Sequence, residues 1–256
     1  NLIINLYLTD FKKEFNNCIV SSNKNNFLGV NNVNSGFTDG YSITIYRSEE
    51  ILKVIIHELI HYYDIDINNR DINCIICKSK FNISKKTKLI LNEGFVETWA
   101  NILNILFITF EYRYNNMILE NIDLYNNFII NLDEEKYFCL KQTAKILLNY
   151  KFDNYEDFLN NKNKIKALKQ GTSIFSYYIA KSIYLYNIEE FLLLYLNKNV
   201  NETIFIIPKV KEKKKNRDNL INLLINNSRD EELIKKINEY MYELRLYKNC
   251  SDDLLN

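Results

Sequence analysis

The sequence predicts an α+β protein, with a small N-terminal β-sheet lobe packed on one apolar helix and a mainly helical C-terminal lobe after it. Three observations predict this. Short runs of β-formers separated by Asn-rich stretches fill the chain as far as Tyr46. From Leu52 through Ile55, Ile56, Leu59, Ile60 and Tyr63, apolar residues recur at helical spacing. After Lys86 the helical period dominates almost to the end of the chain. At 256 residues and 47% hydrophobic, the chain can bury a sizeable core as one domain. Within it, residues 1–66 are expected to form the sheet lobe with its helix and residues 67–256 the helical lobe.

In chain order, Leu2 to Leu8 is an apolar run short enough for a buried strand, and Asp10 to Asn16 suits one or two helical turns. Cys18 to Val20 and Phe27 to Val30 read as further strands. Asp39-Gly40 is a hairpin turn signal, and Tyr41 to Tyr46 alternates β-formers. Ser48 is placed to cap the next helix, with Glu49 and Glu50 in the first turn, where the helix dipole favours negative charge. Farther on, Thr87 to Arg113 holds one long helix or two. Met117 to Leu132, Glu134 to Tyr150, Tyr155 to Leu159, Thr172 to Tyr186, Ile188 to Leu196, Arg217 to Asn226 and Asp230 to Leu246 follow as helical segments. Thr203 to Pro208 suits a short strand, and the basic run Lys209 to Lys215 a solvated loop.

Composition narrows the function classes. A net charge of +1 gives no reason to expect a nucleic-acid partner. The apolar runs Ile105 to Phe110 and Phe191 to Leu196 are too short to span a bilayer. The longer stretch Ser173 to Leu196 is broken by Lys181, Glu189 and Glu190, so no membrane span is expected. Five cysteines, an odd number, do not suggest a disulfide framework, and a reducing compartment such as the cytoplasm fits them best. Cys74 and Cys77 form a lone C-x-x-C, read as two ordinary thiols in a loop, with a redox pair as the alternative. The bias towards Asn, Ile, Lys and Tyr suits an A/T-rich genome, such as that of a large DNA virus or a parasite. The chain opens on Asn1 without Met, as a stretch of a longer or processed product would, and no signal-peptide pattern precedes the fold.

The chemistry concentrates in Ile55 to Asp64, I-I-H-E-L-I-H-Y-Y-D, which holds both histidines of the chain, His57 and His61. On an α-helix, residues four apart stand roughly 40° apart around the axis and about 6 Å apart along it, so both imidazoles can reach one metal ion. Glu58 projects about 100° further round, beside such an ion rather than onto it. The helix is apolar over most of its surface, and burying two imidazoles in it is costly unless something engages them. The alternative is a helix that carries two histidines by chance. A zinc site needs a third protein ligand, and with no further histidine it must be Asp, Glu, Cys or Tyr. The best candidate lies in Leu91 to Asn101, L-N-E-G-F-V-E-T-W-A-N; its own alternative is an amphipathic helix with a solvated acidic face.

The H-E-x-x-H stretch resembles the zinc-dependent metallopeptidases called zincins. Asn92-Glu93-Gly94-Phe95-Val96-Glu97 resembles the N-E-x-x-x-D/E signature of their gluzincin branch, and the likeness covers Tyr41 to Asn101. It implies a zincin-like fold and a Zn2+ ion held by His57, His61 and Glu93. Glu97, where many relatives carry Asp, would accept a hydrogen bond from the far nitrogen of a ligand histidine. Glu58 would act as general base in the hydrolysis of a peptide or protein substrate. Relatives add a Tyr or His that stabilises the oxyanion. With no spare histidine, Tyr177 or Tyr178 takes that role here, since a Gly-led helix after the ligand helix could return over the cleft. Asp64, near the end of the motif helix, would orient an imidazole or simply end the helix. In zincins the strand before the active helix commonly forms a sheet edge that pairs with an extended peptide, which would assign Tyr41 to Tyr46 that role; a covered interior strand is the alternative. The implied function is a zinc metallopeptidase. A catalytically silent zincin-fold interaction or virion-associated protein is the alternative, and the motif glutamate, which packing alone does not require, favours the enzyme.

Overall fold

The computed structural model describes residues 2–13, 28–67, 75–116, 121–160, 167–194 and 210–253. Its architecture is α+β, a small sheet with a mostly helical body. Three strands, β1 (Ile3–Thr9), β2 (Gly36–Thr38) and β3 (Ser42–Arg47), form the sheet in the order β1-β3-β2. β1 runs parallel to β3, from Ile3 opposite Ser42 to Leu6 opposite Ile45, and β2 runs antiparallel to it. The β2–β3 hairpin turns at Asp39-Gly40 as the sequence predicts. Gly40 takes φ 88°, and Asp39 Oδ1 accepts the backbone N–H groups of Tyr41 and Ser42 at 2.8 and 2.7 Å.

Two sheet expectations change. The strand at Tyr41 to Tyr46 is interior, flanked on both sides, and the edge beside the helix falls to β2. β1 is an edge strand with Ile3, Leu6 and Tyr7 exposed, not a buried one. A continuous apolar run shows that a strand exists but not how many of its faces are covered. Val30 to Val33 forms one helical turn, α1, where the sequence suggested a strand ending at Val30, because Asn32 Oδ1 accepts the Gly29 N–H at 3.0 Å and closes the turn.

Helix α2 (Ile51–Tyr62) is the seam of the molecule. Its Val54 packs with Ile43 and Ile45 into a small core under the sheet, while its Ile56 and Ile60 join the large core of the helical body. A helix with apolar partners on two sides presents only a narrow strip between them, and His57, Glu58 and His61 occupy that strip. Ser48 does not cap α2: its Oγ donates to Thr9 O at 3.2 Å, tying β1 to the helix, and the N-cap is Glu50 in the left-handed region.

Beyond α3 (Ile75–Lys80), helix α4 (Asn92–Asn116) begins five residues later than Thr87, the predicted start. Other parts of the chain capture the carbonyls it would need: Gln170 Nε2 donates to Lys88 O at 2.7 Å and Ser176 Oγ to Ile90 O at 2.6 Å. α5 (Asn121–Asn149) is one helix where two were expected; it contains no Gly or Pro, and Asp133 is held in it by Lys136 at 3.1 Å. α6 (Tyr155–Leu159) is capped by Asn154. A π-helical segment (Phe175–Ala180) continues directly into α7 (Lys181–Tyr186), together filling most of the predicted Thr172–Tyr186 helix.

α8 (Ile188–Leu193), α9 (Val210–Asn227) and α10 (Glu231–Asp253) complete the body, with Asp230 Oδ1 accepting the Leu233 N–H at 2.8 Å to start α10. From Val210 the backbone of the basic run is the first part of α9 rather than a loop, since its Lys and Glu are good helix formers with no Gly among them. Cys18 to Val20, Cys74 and Thr203 to Pro208 lie outside the described residues. Among the described residues no helix is long and apolar enough to cross a membrane.

Candidate metal centre

Two helices build the site. The body side of α4 is buried by Phe95, Val96, Trp99 and Ala100, with Phe95 and Trp99 packed on Phe191 at 6.1 and 5.6 Å between ring centroids. Burying that side turns Glu93 and Glu97, one turn apart, onto α2. Glu93 Oε2 meets His57 Nε2 at 3.4 Å and His61 Nε2 at 3.5 Å. The ligand atoms of His57, His61 and Glu93 all lie within 4.8 Å of one another, and among the described residues this is the group able to hold a metal ion. The donor set, two imidazole nitrogens and a carboxylate, is one that suits zinc.

The far nitrogens are engaged as well. His57 Nδ1 stands 3.1 Å from Glu97 Oε1, within ion-pair range but off the line of a well-formed hydrogen bond. His61 Nδ1 pairs with Asp66 Oδ2 at 2.8 Å. Asn92 Nδ2 donates to that same Asp66 oxygen at 3.0 Å, while Asn92 Oδ1 accepts the Ile67 N–H at 3.0 Å. Asp66 is therefore the carboxylate on His61. Asp64 is exposed, at φ 51°, where the chain leaves α2, so it ends the helix rather than orienting an imidazole.

Electrostatics follow from burial and pairing. Burial disfavours a charged His57, yet Glu93 and Glu97 bring its imidazole up to about 10. His61 is likewise opposed by burial and raised by Asp66 and Glu93 to about 9. Glu93, also buried, is held down at about 2 by the two histidines. Glu97 stays well below the usual carboxylate range against its burial, through Lys53 at 3.3 Å, His57 and Lys181. Glu58 moves the other way. Its burial raises the carboxyl above its ordinary value, and the two imidazoles offset this only in part.

Tyr177 and Tyr178 come from the π-helical segment, which passes Gly94 closely: a Cβ on that glycine would stand 3.2 Å from both Ala180 Cβ and Ser176 O. The Tyr177 ring lies 6.2 Å from the His57 ring, with the carboxylates of Glu93, Glu97 and Glu58 among its charged neighbours. Burial and the surrounding carboxylates keep that phenol well above its ordinary value and so protonated. Tyr177 and Tyr178 both line a cavity of about 430 Å3; Lys181 and Lys53 are among the charged neighbours of Tyr178, and burial pushes its hydroxyl up to about 12. His57, Glu58, Glu97 and the β2 residue Gly36 also line this cavity.

The structure thus brings His57, Glu58, His61, Glu93, Glu97 and Tyr177 together, sets Tyr178 in the adjoining cavity and leaves Asp64 outside. Lys53, Asp66, Asn92 and Lys181 join the site although the sequence did not single them out. Lys53 could have been found, since it lies four residues before His57 and so on the same helix face as the two histidines. No family model, no curated protein and no solved structure matches this chain, so what the residues do is read from their own arrangement.

Proposed function

We propose that the chain is a zinc-dependent metallopeptidase of the zincin type. The observation that carries this reading is the convergence of His57 Nε2, His61 Nε2 and Glu93 Oε2 on one point, beside a buried glutamate and an open cavity. His57, His61 and Glu93 would hold the ion, which when bound supplies Lewis acidity that makes water easier to deprotonate and a peptide carbonyl more electrophilic.

The remaining steps fall to the side chains. Glu58 accepts a proton from the attacking water as its oxygen bonds to the carbonyl carbon, then delivers that proton to the amine as the C–N bond breaks. A carboxyl raised by burial suits both roles, because it takes and releases a proton nearer neutrality than an exposed glutamate would. Tyr177, kept protonated, donates a hydrogen bond to the oxygen on which negative charge develops. Glu97 and Asp66 hold the imidazoles with their Nε2 atoms facing inward. The edge of β2 at Gly36, unpaired among the described residues, offers backbone groups to an extended peptide.

The test combines metal analysis with one substitution. The purified chain should carry one equivalent of zinc, and Glu93→Ala should lose it. Glu58→Gln should keep the zinc and lose hydrolysis across a peptide library. Zinc retained by Glu93→Ala would remove the ligand assignment, and unimpaired cleavage by Glu58→Gln would remove the general base.

A further inference from the structure

Glu97 divides its two carboxylate oxygens between different partners. Oε1 stands 3.1 Å from His57 Nδ1, whereas Oε2 accepts a hydrogen bond from Lys53 Nζ at 3.3 Å and has Lys181 Nζ at 3.8 Å. The side chains of Glu97, Lys53 and Lys181 are only 14%, 12% and 7% exposed, so their charges must be matched inside the protein rather than by water. Each lysine is held in its turn. Glu50 pairs with Lys53 at 3.3 Å and with Lys13 at 2.7 Å, and Glu135 is among the charged neighbours of both Lys53 and Lys181. Three carboxylates, Glu50, Glu97 and Glu135, thus answer three ammonium groups, Lys13, Lys53 and Lys181. The network closes on itself and calls for no ligand of its own.

Its consequence falls on the imidazole. Glu97 reaches His57 from a neighbouring helix over a long side chain, and its carboxylate must give up its other orientations before one oxygen can serve Nδ1. Lys53 approaches Oε2 from α2, one turn before His57, and Lys181 approaches it from the start of α7. Two cations from different elements on the same oxygen leave the other turned to the ring. A metal-bound imidazole is neutral, so in a loaded site the cations facing Glu97 are these two lysines.

We infer that Lys53 and Lys181 are positioning residues that clamp Glu97 by Oε2, keep its Oε1 on His57 Nδ1 and thereby fix how His57 presents Nε2 to the ion. The inference rests on the zinc-site reading and goes beyond it, assigning the groups that stand behind the ligand's own partner.

The test is a double-mutant cycle on the full chain, read as zinc affinity by chelator competition. Glu97→Gln should lose about 10- to 100-fold in affinity, and Lys53→Gln and Lys181→Gln about tenfold each. Lys53→Arg, which keeps the charge, should recover most of the loss. Either lysine variant combined with Glu97→Gln should lose no more than Glu97→Gln alone, because a residue that acts through Glu97 has nothing left to act on. A lysine that served packing alone would lower the urea midpoint of the metal-free protein without this dependence. Unchanged affinity in both lysine variants, or losses that add in full to that of Glu97→Gln, overturns the clamp. Failure of both lysine variants to fold where Glu97→Gln folds also overturns it, since the lysines would then serve the body rather than Glu97.

Hydrolysis across a peptide library, measured on the same proteins, separates this inference from the peptidase reading. Zinc affinity that follows the cycle in a chain that cleaves nothing would keep the clamp and remove the peptidase. Cleavage by a parent whose affinity is indifferent to both lysines would do the reverse. A parent that takes up no zinc would remove both.

Discussion

His61 Nδ1 and Asp66 Oδ2 stand 2.8 Å apart, and Asn92, the first residue of the helix that supplies Glu93, donates to the same oxygen at 3.0 Å. One carboxylate thus orients an imidazole and fastens α4 to the end of α2. Replacing Asp66 with Asn keeps the volume and removes the negative charge behind His61. The expected result is a loss of about 10- to 100-fold in zinc affinity with the fold retained. Chelator competition followed by circular dichroism reads both, and unchanged affinity would show that Asp66 serves only the α2–α4 junction.

The histidine pair and its glutamate were legible because they depend on spacing within a single helix, which sequence states directly, whereas Glu93 was singled out through the resemblance of Asn92 to Glu97 to the gluzincin signature. Asp66 was not, although the acidic pair Asp64 and Asp66 was in view. Past the last turn of α2 the chain enters the left-handed region at Asp64, and helical spacing no longer tells which side chain turns back. The meeting of Lys53 with Lys181 is harder still, since it depends on how α2 packs against a segment more than a hundred residues away. The fold class was legible from periodicity. The roles of β1 and β3 were not, because strand order depends on pairing between distant segments.

Gly94 offers a test of how closely α4 must approach the π-helical segment. In a free helix Gly→Ala gains about 1 kcal/mol. Here the added methyl meets Ala180 Cβ and the Ser176 carbonyl at 3.2 Å, and Ser176 is itself pinned to Ile90 O at 2.6 Å. Overpacking of this kind costs about 1–3 kcal/mol. Gly94→Ala should therefore lower the urea midpoint and, by moving Tyr177, lower turnover too. A raised midpoint would mean that the two segments part without penalty.

The metal-free protein should lose stability as pH rises. The folded state raises His57 to about 10 and His61 to about 9. A raised pKa contributes stability that is fully present below the unfolded value of about 6.5 and is lost as pH climbs through the folded values. Glu93, lowered to about 2, contributes above its ordinary carboxylate range and loses that contribution in strong acid. With chelator present, the melting temperature should fall between about pH 6.5 and pH 10, and a variant with both histidines changed to Gln should show a flatter profile. Matching profiles for the two proteins would mean that the Glu93, Glu97 and Asp66 pairings do not stabilise the fold.

Tyr177 separates catalysis from packing. Its ring lies beside His57 and the Glu93 carboxylate is among its charged neighbours, so Tyr177→Phe keeps the ring and removes one donor. If that hydroxyl stabilises developing negative charge, kcat should fall about 100-fold while KM and zinc content hold. If it only steadies Glu93, zinc affinity should weaken and kcat at saturating zinc should stay near that of the parent. Tyr178→Phe is the comparison, because Tyr178 is the next residue in the chain and lines the same cavity. It should lower kcat less than Tyr177→Phe does and leave zinc content unchanged. Steady-state kinetics on the two variants, read beside their zinc content, assigns each hydroxyl to the reacting bond or to the ligand set.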